Sequence, residues 1–250
     1  RRPRLRRPQF EKFYTATVDS KENDSHKRHM APMPTFPNAP KRLKGGIVLV
    51  YPTTSAVRRI IALQYNPDTV SRTLQVQGAG ETGERSDVLR LKGPPVETIK
   101  LDAEIDLTDQ LEFPDQNPDA GRLGLYPQLA ALETIIYPSS SQLSANHNLA
   151  QVGTLEILPM EAPLTLFIWS KNRILPVRIT DFSITEEAFD PSLNPIRAKV
   201  SLGMRVLSVS DVGFSDKAGN LFMVYLQNKE RLVTKSKAGS FDVFGINGIL

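Results

Sequence analysis

With 250 residues, 40% hydrophobic and 23% charged, the chain holds enough apolar material for one large β-rich domain or two smaller ones. It contains no cysteine, which excludes disulfides, thiolate metal sites and cysteine nucleophiles and suits a reducing compartment. The net charge of +4 invites a nucleic-acid reading, but residues 1–45 carry 12 Lys/Arg against 4 Asp/Glu, a balance of +8, so residues 46–250 carry −4 and the basicity belongs to an arm.

That arm, residues 1–44, has five arginines within its first seven residues and prolines at 32, 34, 37 and 40. It shows no helical or strand period, and its composition predicts an extended or disordered segment. Besides a solvated linker, two readings stay open: an arm that orders on an acidic neighbouring subunit, and a nucleic-acid contact. The second is weakened by thin aromatic interleaving (Phe10, Phe13, Tyr14). No apolar run approaches the ~18 residues of a membrane helix, and no apolar stretch follows the arginines. Neither membrane insertion nor a secretory leader is expected.

From Gly46 the texture changes. Residues 47–50 and 59–65 read as strands, with Asn66-Pro67-Asp68 as a turn, and 69–77 as a third strand. Residues 78–93 form a polar, glycine-containing connection. In 96–109, Ile99, Leu101, Ala103, Ile105 and Leu107 alternate with Lys100, Asp102, Glu104 and Asp106, which gives one core face and one polar face.

Residues 125–136 predict the main helix, with Pro127 in its first turn, an apolar stripe of Leu125, Leu129, Leu132 and Ile136, and Pro138 as its stop. Residues 139–152 read as an exposed loop. Strands are expected at 164–170, 174–186 and 196–208. In the last of these, Ile196, Ala198, Val200, Leu202, Met204 and Val206 face inward, opposite Arg197, Lys199, Ser201 and Arg205. A weaker helical spacing (Leu221, Tyr225, Leu232) runs through 219–235. Six or seven strands with one good helix predict a mainly β, α+β fold, an antiparallel sandwich or open barrel.

Candidate chemistry is sparse. Residues 78–83 match the G-x-G-x-x-G spacing, but a dinucleotide site needs that loop to open a helix on a parallel sheet, and here Glu84-Arg85-Ser86-Asp87 follows without an apolar stripe. Residues 115–121 resemble the start of a calcium loop but put Ala120 where glycine is required and Tyr126 where the bidentate acid belongs. The three histidines, His26, His29 and His147, lack partners at metal-ligand spacing. Trp169 reads as core or interface. No catalytic residue, no metal ligand and no cofactor is assigned, and the chain is read as a non-enzyme.

What remains is surface. The acidic face of 96–109 (Asp102, Glu104, Asp106) and the basic face of 196–208 (Arg197, Lys199, Arg205) are opposite in sign. They are the candidate subunit-interface residues, able to set register in a head-to-tail ring. On this reading, charge reversal at Arg197 and Lys199 prevents ring closure and leaves the monomer folded.

Three blocks carry a family resemblance. They are residues 62–69 with Arg72-Thr73-Leu74; 109–114 running into 127–133 and Tyr137-Pro138; and 173–180 with 182–191, continuing into 193–198. Together they span roughly residues 44–210 in order and resemble the tube-domain family of contractile injection systems. The resemblance implies a tube-type antiparallel β-barrel or sandwich with a flanking helix, built into a homo-hexameric ring. It implies a baseplate hub that joins the spike trimer to the inner tube or a neighbouring tube-initiator ring, beside baseplate wedge proteins, in a particle assembled in the bacterial cytoplasm. Nucleic acid is not among the implied partners. Many relatives carry a LysM module after this region; here none is found beyond Ser210. The expected organisation is an arm at 1–44, a tube-like domain at 45–210 and a helical to irregular extension at 211–250. The alternatives are a polymerising inner-tube subunit and a soluble binding module.

Overall fold

The structure is a computed structural model, and it describes residues 43–78, 90–151, 162–237 and 239–249. The basic arm with His26 and His29, and most of the connection bearing the G-x-G-x-x-G spacing, lie outside those residues. The chain divides between Pro40 and Lys41, and every described residue falls in the second unit.

Seven strands form one antiparallel sheet: β1 (Gly46–Val50), β2 (Val57–Ala62), β3 (Val70–Gln75), β4 (Val96–Asp106), β5 (Leu164–Ser170), β6 (Arg173–Phe189) and β7 (Pro195–Val206), in the order β2-β1-β5-β6-β7-β4-β3. The mainly β, antiparallel class is as expected, but the sheet does not close into a barrel. It ends in two edges, β2 and β3. One side chain bridges toward closure near the β2 edge. Gln64, two residues past β2, donates from Nε2 to the Asp106 carbonyl at 2.7 Å and accepts from the Asp106 N–H at 2.9 Å. A primary amide presents the same donor and acceptor pair as a peptide, so Gln64 stands in for a missing rung at the end of β4.

Alternation dictates the core. Ile99, Leu101 and Ala103 of β4 and Ala198, Val200, Leu202 and Met204 of β7 are buried on one face, as their period of two requires. In β6 the parity changes: a bulge between Ile179 and Asp181 lets Leu175, Val177 and Ile179 share a face with Phe182 and Ile184. Each fully buried large side chain contributes roughly 1.5–3 kcal/mol of transfer free energy.

Among the described residues five α-helices accompany the sheet, where a main helix at 125–136 and a weaker one at 219–235 were expected: α1 (Thr108–Leu111), α2 (Pro118–Leu123), α3 (Tyr126–Glu133), α4 (Ser140–Gln151) and α5 (Lys217–Val233). In α3, Leu125 at its start, Leu129 and Leu132 are buried, but Ile135 and not Ile136 completes the stripe. The last turn tightens: the Ile135 N–H bonds to Leu132 O and the Ile136 N–H to Glu133 O, an i→i+3 pattern that moves the inward position from the fourth residue to the third.

Entry to α3 depends on Gly124. Its φ is +56°, and a Cβ there would lie 2.6 Å from the Pro195 carbonyl.

Helix α4 occupies the segment read as a loop. It buries no residue, so no apolar stripe marks it. A reciprocal cap starts it: Ser139 Oγ accepts from the Gln142 N–H, and Gln142 Oε1 accepts from the Ser139 N–H. Helix α5 buries Ala218, Phe222 and Tyr225, the last two in the same core as the sheet. Among the described residues, no helix is long and apolar enough to cross a membrane.

Candidate interaction surface

The polar face of the β4–β7 ribbon is where the sequence placed its candidate contacts. Register brings the two strands together: Asp106 lies opposite Arg197, Glu104 opposite Lys199, Asp102 opposite Ser201, and Thr98 opposite Arg205. The acidic and basic rows are therefore neighbours on one face. Most of the charges find partners within the chain. Arg197 Nε contacts Asp106 Oδ2 at 2.8 Å, Lys199 Nζ contacts Glu187 at 3.1 Å, and Arg205 contacts Asp211 at 2.6 Å. Ser201 Oγ donates to Asp102.

The Thr108 hydroxyl holds the Asp106 carboxyl below the usual carboxylate range, helped by the Thr108 N–H and by Arg197. Exposed pairs like these contribute about 0–1 kcal/mol each, so the face is a registered mixed-charge surface more than a source of stability.

Beside it lies a polar cleft of ≈ 660 Å³. One wall is Tyr65 to Thr69, the other Asp102, Glu104, Ser183, Thr185, Lys199 and Ser201. Asn66 fixes the first wall through a contact the sequence does not reveal. Its Oδ1 accepts from the Gly45 N–H at 2.8 Å and its Nδ2 donates to the Leu43 carbonyl at 2.8 Å, so it ties the turn to the entry of β1 and not to its own loop.

The other rigid connection, between β6 and β7, is built on Asp190. Its carboxylate accepts from the Ser192 and Asn194 N–H groups and from Asn194 Nδ2. The Asn194 side chain, then its N–H, holds the Asp190 carboxyl below its ordinary value. Leu193 completes the connection with a positive φ of 64°.

Sequence reasoning missed one cluster. Glu97 lies on the apolar face of β4, in phase with Ile99, and is 3% exposed. Arg72 of β3 donates to it from Nε at 2.8 Å, and Lys229 of α5 from Nζ at 3.2 Å. Tyr225 of α5 donates its hydroxyl to the same carboxylate at 3.1 Å and accepts from Arg72 at 2.9 Å. Lys229 also stands 4.1 Å from the centre of the Tyr225 ring. The cluster clamps α5 to the β3–β4 end of the sheet. Its signal was present in the parity of residue 97, a lone acid in the core phase of the cleanest strand. Its partners lie 25 and 128–132 residues away and carry no local mark.

No protein-family profile matches the chain, and no curated relative does. Among solved structures, the chain is similar to one in the tail of an empty gene transfer agent particle described with C6 symmetry. The two are 13% identical with a TM-score of 0.26, over 65% of this chain and 90% of that one. A likeness of that degree speaks to neither mechanism nor partner.

Proposed function

We propose that this chain is a structural ring subunit of a phage-tail-like contractile injection machine, the baseplate hub that joins the spike to the inner tube and starts tube assembly. The observation that carries the reading is the open antiparallel sheet. Among the described residues, β2 and β3 each pair on one side only. Val57 and Ile60 on β2, and Leu74 on β3, leave apolar side chains in water beside those edges. An unpaired edge of this kind is a template for another strand.

A β2 edge at one end of a sheet and a β3 edge at the other are non-equivalent surfaces, as a head-to-tail ring requires. Six copies joined this way make a continuous wall. The three sequence blocks that resemble tube-domain proteins support the same reading. The mixed-charge face of Asp102, Glu104, Asp106, Arg197, Lys199 and Arg205 is the second contact in it, its alternating signs setting register against a neighbour. The partners are then further copies of the chain, a spike trimer, the adjoining tube or initiator ring, and wedge proteins, within a particle assembled in the cytoplasm.

Native mass measurement with electron microscopy of the purified chain is the test. Closed six-fold rings are expected. Long tubes would transfer the chain to the polymerising tube subunits, and a monomer at high concentration that also ignores spike and tube proteins would overturn the reading.

A further inference from the structure

The two ends of α5 differ in a way that the ring reading does not by itself require. At its start, Ala218 lines a groove of ≈ 590 Å³ together with Ile135, Ile136, Leu164, Val177 and Ile179. The groove is within the size range of clefts that bury a ligand. Arg178 and Lys217 also line it, while Asp216 there accepts from the Gly213 N–H.

Beyond the other end of α5, residues 241–249 present apolar side chains to water: Phe241 is 46% exposed, Val243 77%, Phe244 74%, Ile246 43% and Ile249 79%. Phe241 and Phe244 begin and end a single 3-10 turn. Side chains three apart eclipse in such a turn, so the two rings leave the same side of it. Asp242 is the only charged residue in the segment.

We infer that residues 241–249 of one copy dock in this groove of a second copy, a head-to-tail contact between neighbouring ring subunits. Three observations select that occupant. The first is distance. α5 has 17 residues and, at about 1.5 Å per residue, runs about 25 Å from the groove to Val233, and no residue of 241–249 lines the groove of its own chain. Surfaces so placed meet naturally between copies, and a contact of that kind propagates around a ring.

The second is area. At about 200 Å² per aromatic ring, the two Phe exposures leave roughly 240 Å² in water. With Val243, Ile246 and Ile249 the segment offers about 500 Å², the size of the largest apolar patch on a typical monomer, which is often a functional one. A like area from the groove brings the contact to roughly 1,000 Å², the floor for a specific interface. The third is charge: Asp242 approaches a groove lined by Arg178 and Lys217.

The inference rests on the ring reading, and the test separates the two. Because the chain has no cysteine, Phe244→Cys and Ile136→Cys introduce the only thiols. Mixing the two single variants under mild oxidation is expected to give covalent dimers at least tenfold above either variant alone, and the double variant a ladder of linked chains. Dimers no more abundant in the mixture, or a double variant that closes only within its own chain, would overturn the contact.

Phe244→Asp, at a 74% exposed position, and Ile136→Glu, at 49%, are each expected to weaken self-association at least tenfold with unchanged helical content. If the wild-type chain assembles and both variants assemble equally well, this contact fails and the ring reading stands. If the wild-type chain stays monomeric, both fail.

Discussion

Replacing Arg72 with methionine keeps its apolar stem and removes the guanidinium that bridges Glu97 and Tyr225. Glu97, with a side chain 4% exposed, would then hold a buried carboxylate against Lys229 and the Tyr225 hydroxyl alone. Removing one partner of a buried ion pair costs about 3–5 kcal/mol, because the other charge stays desolvated. Lys229 remains 3.2 Å away, and Arg72 itself is 25% exposed, so solvent already screens part of the attraction. The lower end applies, about 3 kcal/mol. At about 2–4 °C per kcal/mol for a chain of this size, Tm should fall by about 6–12 °C.

The loss should also be local. Amides of α5 around Phe222 and Tyr225 should exchange faster than those of β7. Glu97→Gln removes the buried charge, so the double variant should lose less than the sum of the two single changes, by roughly 1–3 kcal/mol. A Tm change under about 2 °C for Arg72→Met, or strict additivity with Glu97→Gln, would refute the clamp.

Three further outcomes are expected. Gln64→Leu leaves the Asp106 N–H and carbonyl without their side-chain partner. It should cost about 1–3 kcal/mol in urea unfolding and remove protection of the Asp106 amide in hydrogen exchange. Gly219→Ala should destabilise α5 despite alanine's higher helix propensity, because a methyl there runs into the Gly213 carbonyl; a gain in Tm would contradict that packing. Asp106 and Asp190 both titrate below the usual carboxylate range in the fold, so their contribution is complete above about pH 4, where the unfolded groups ionise, and is lost as pH falls through the lower folded values. Asp106→Asn and Asp190→Asn should each flatten the stability-versus-pH curve below about pH 4 and leave its slope near neutrality unchanged, as read from denaturation midpoints across that range.

The candidate surface was partly legible before the fold. Strict alternation in β4 and β7 assigned each side chain to a face because a period of two is a property of the extended backbone itself. What alternation cannot state is which strands adjoin. Asp106 and Arg197 are 91 residues apart, and only the β4–β7 ladder makes them a pair on one face. The same gap hid the clamp, whose carboxylate was visible in phase with the core while its cations come from β3 and α5.

Helix α4 was missed for the opposite reason. It buries nothing, so hydrophobic period, the usual signal, is absent, and the Ser139–Gln142 cap was the only local mark. Ile136 was misplaced because a single turn of different hydrogen bonding changes the period by a fraction of a residue.

The sequence by itself determined the antiparallel β class, the faces of the two cleanest strands, the start of α3 and the turn at Asn66-Pro67-Asp68, since each follows from backbone geometry within a few residues. Tertiary structure decided whether the sheet closes, which charges neutralise each other and where α5 belongs, because those outcomes depend on contacts between segments that no local pattern brings together.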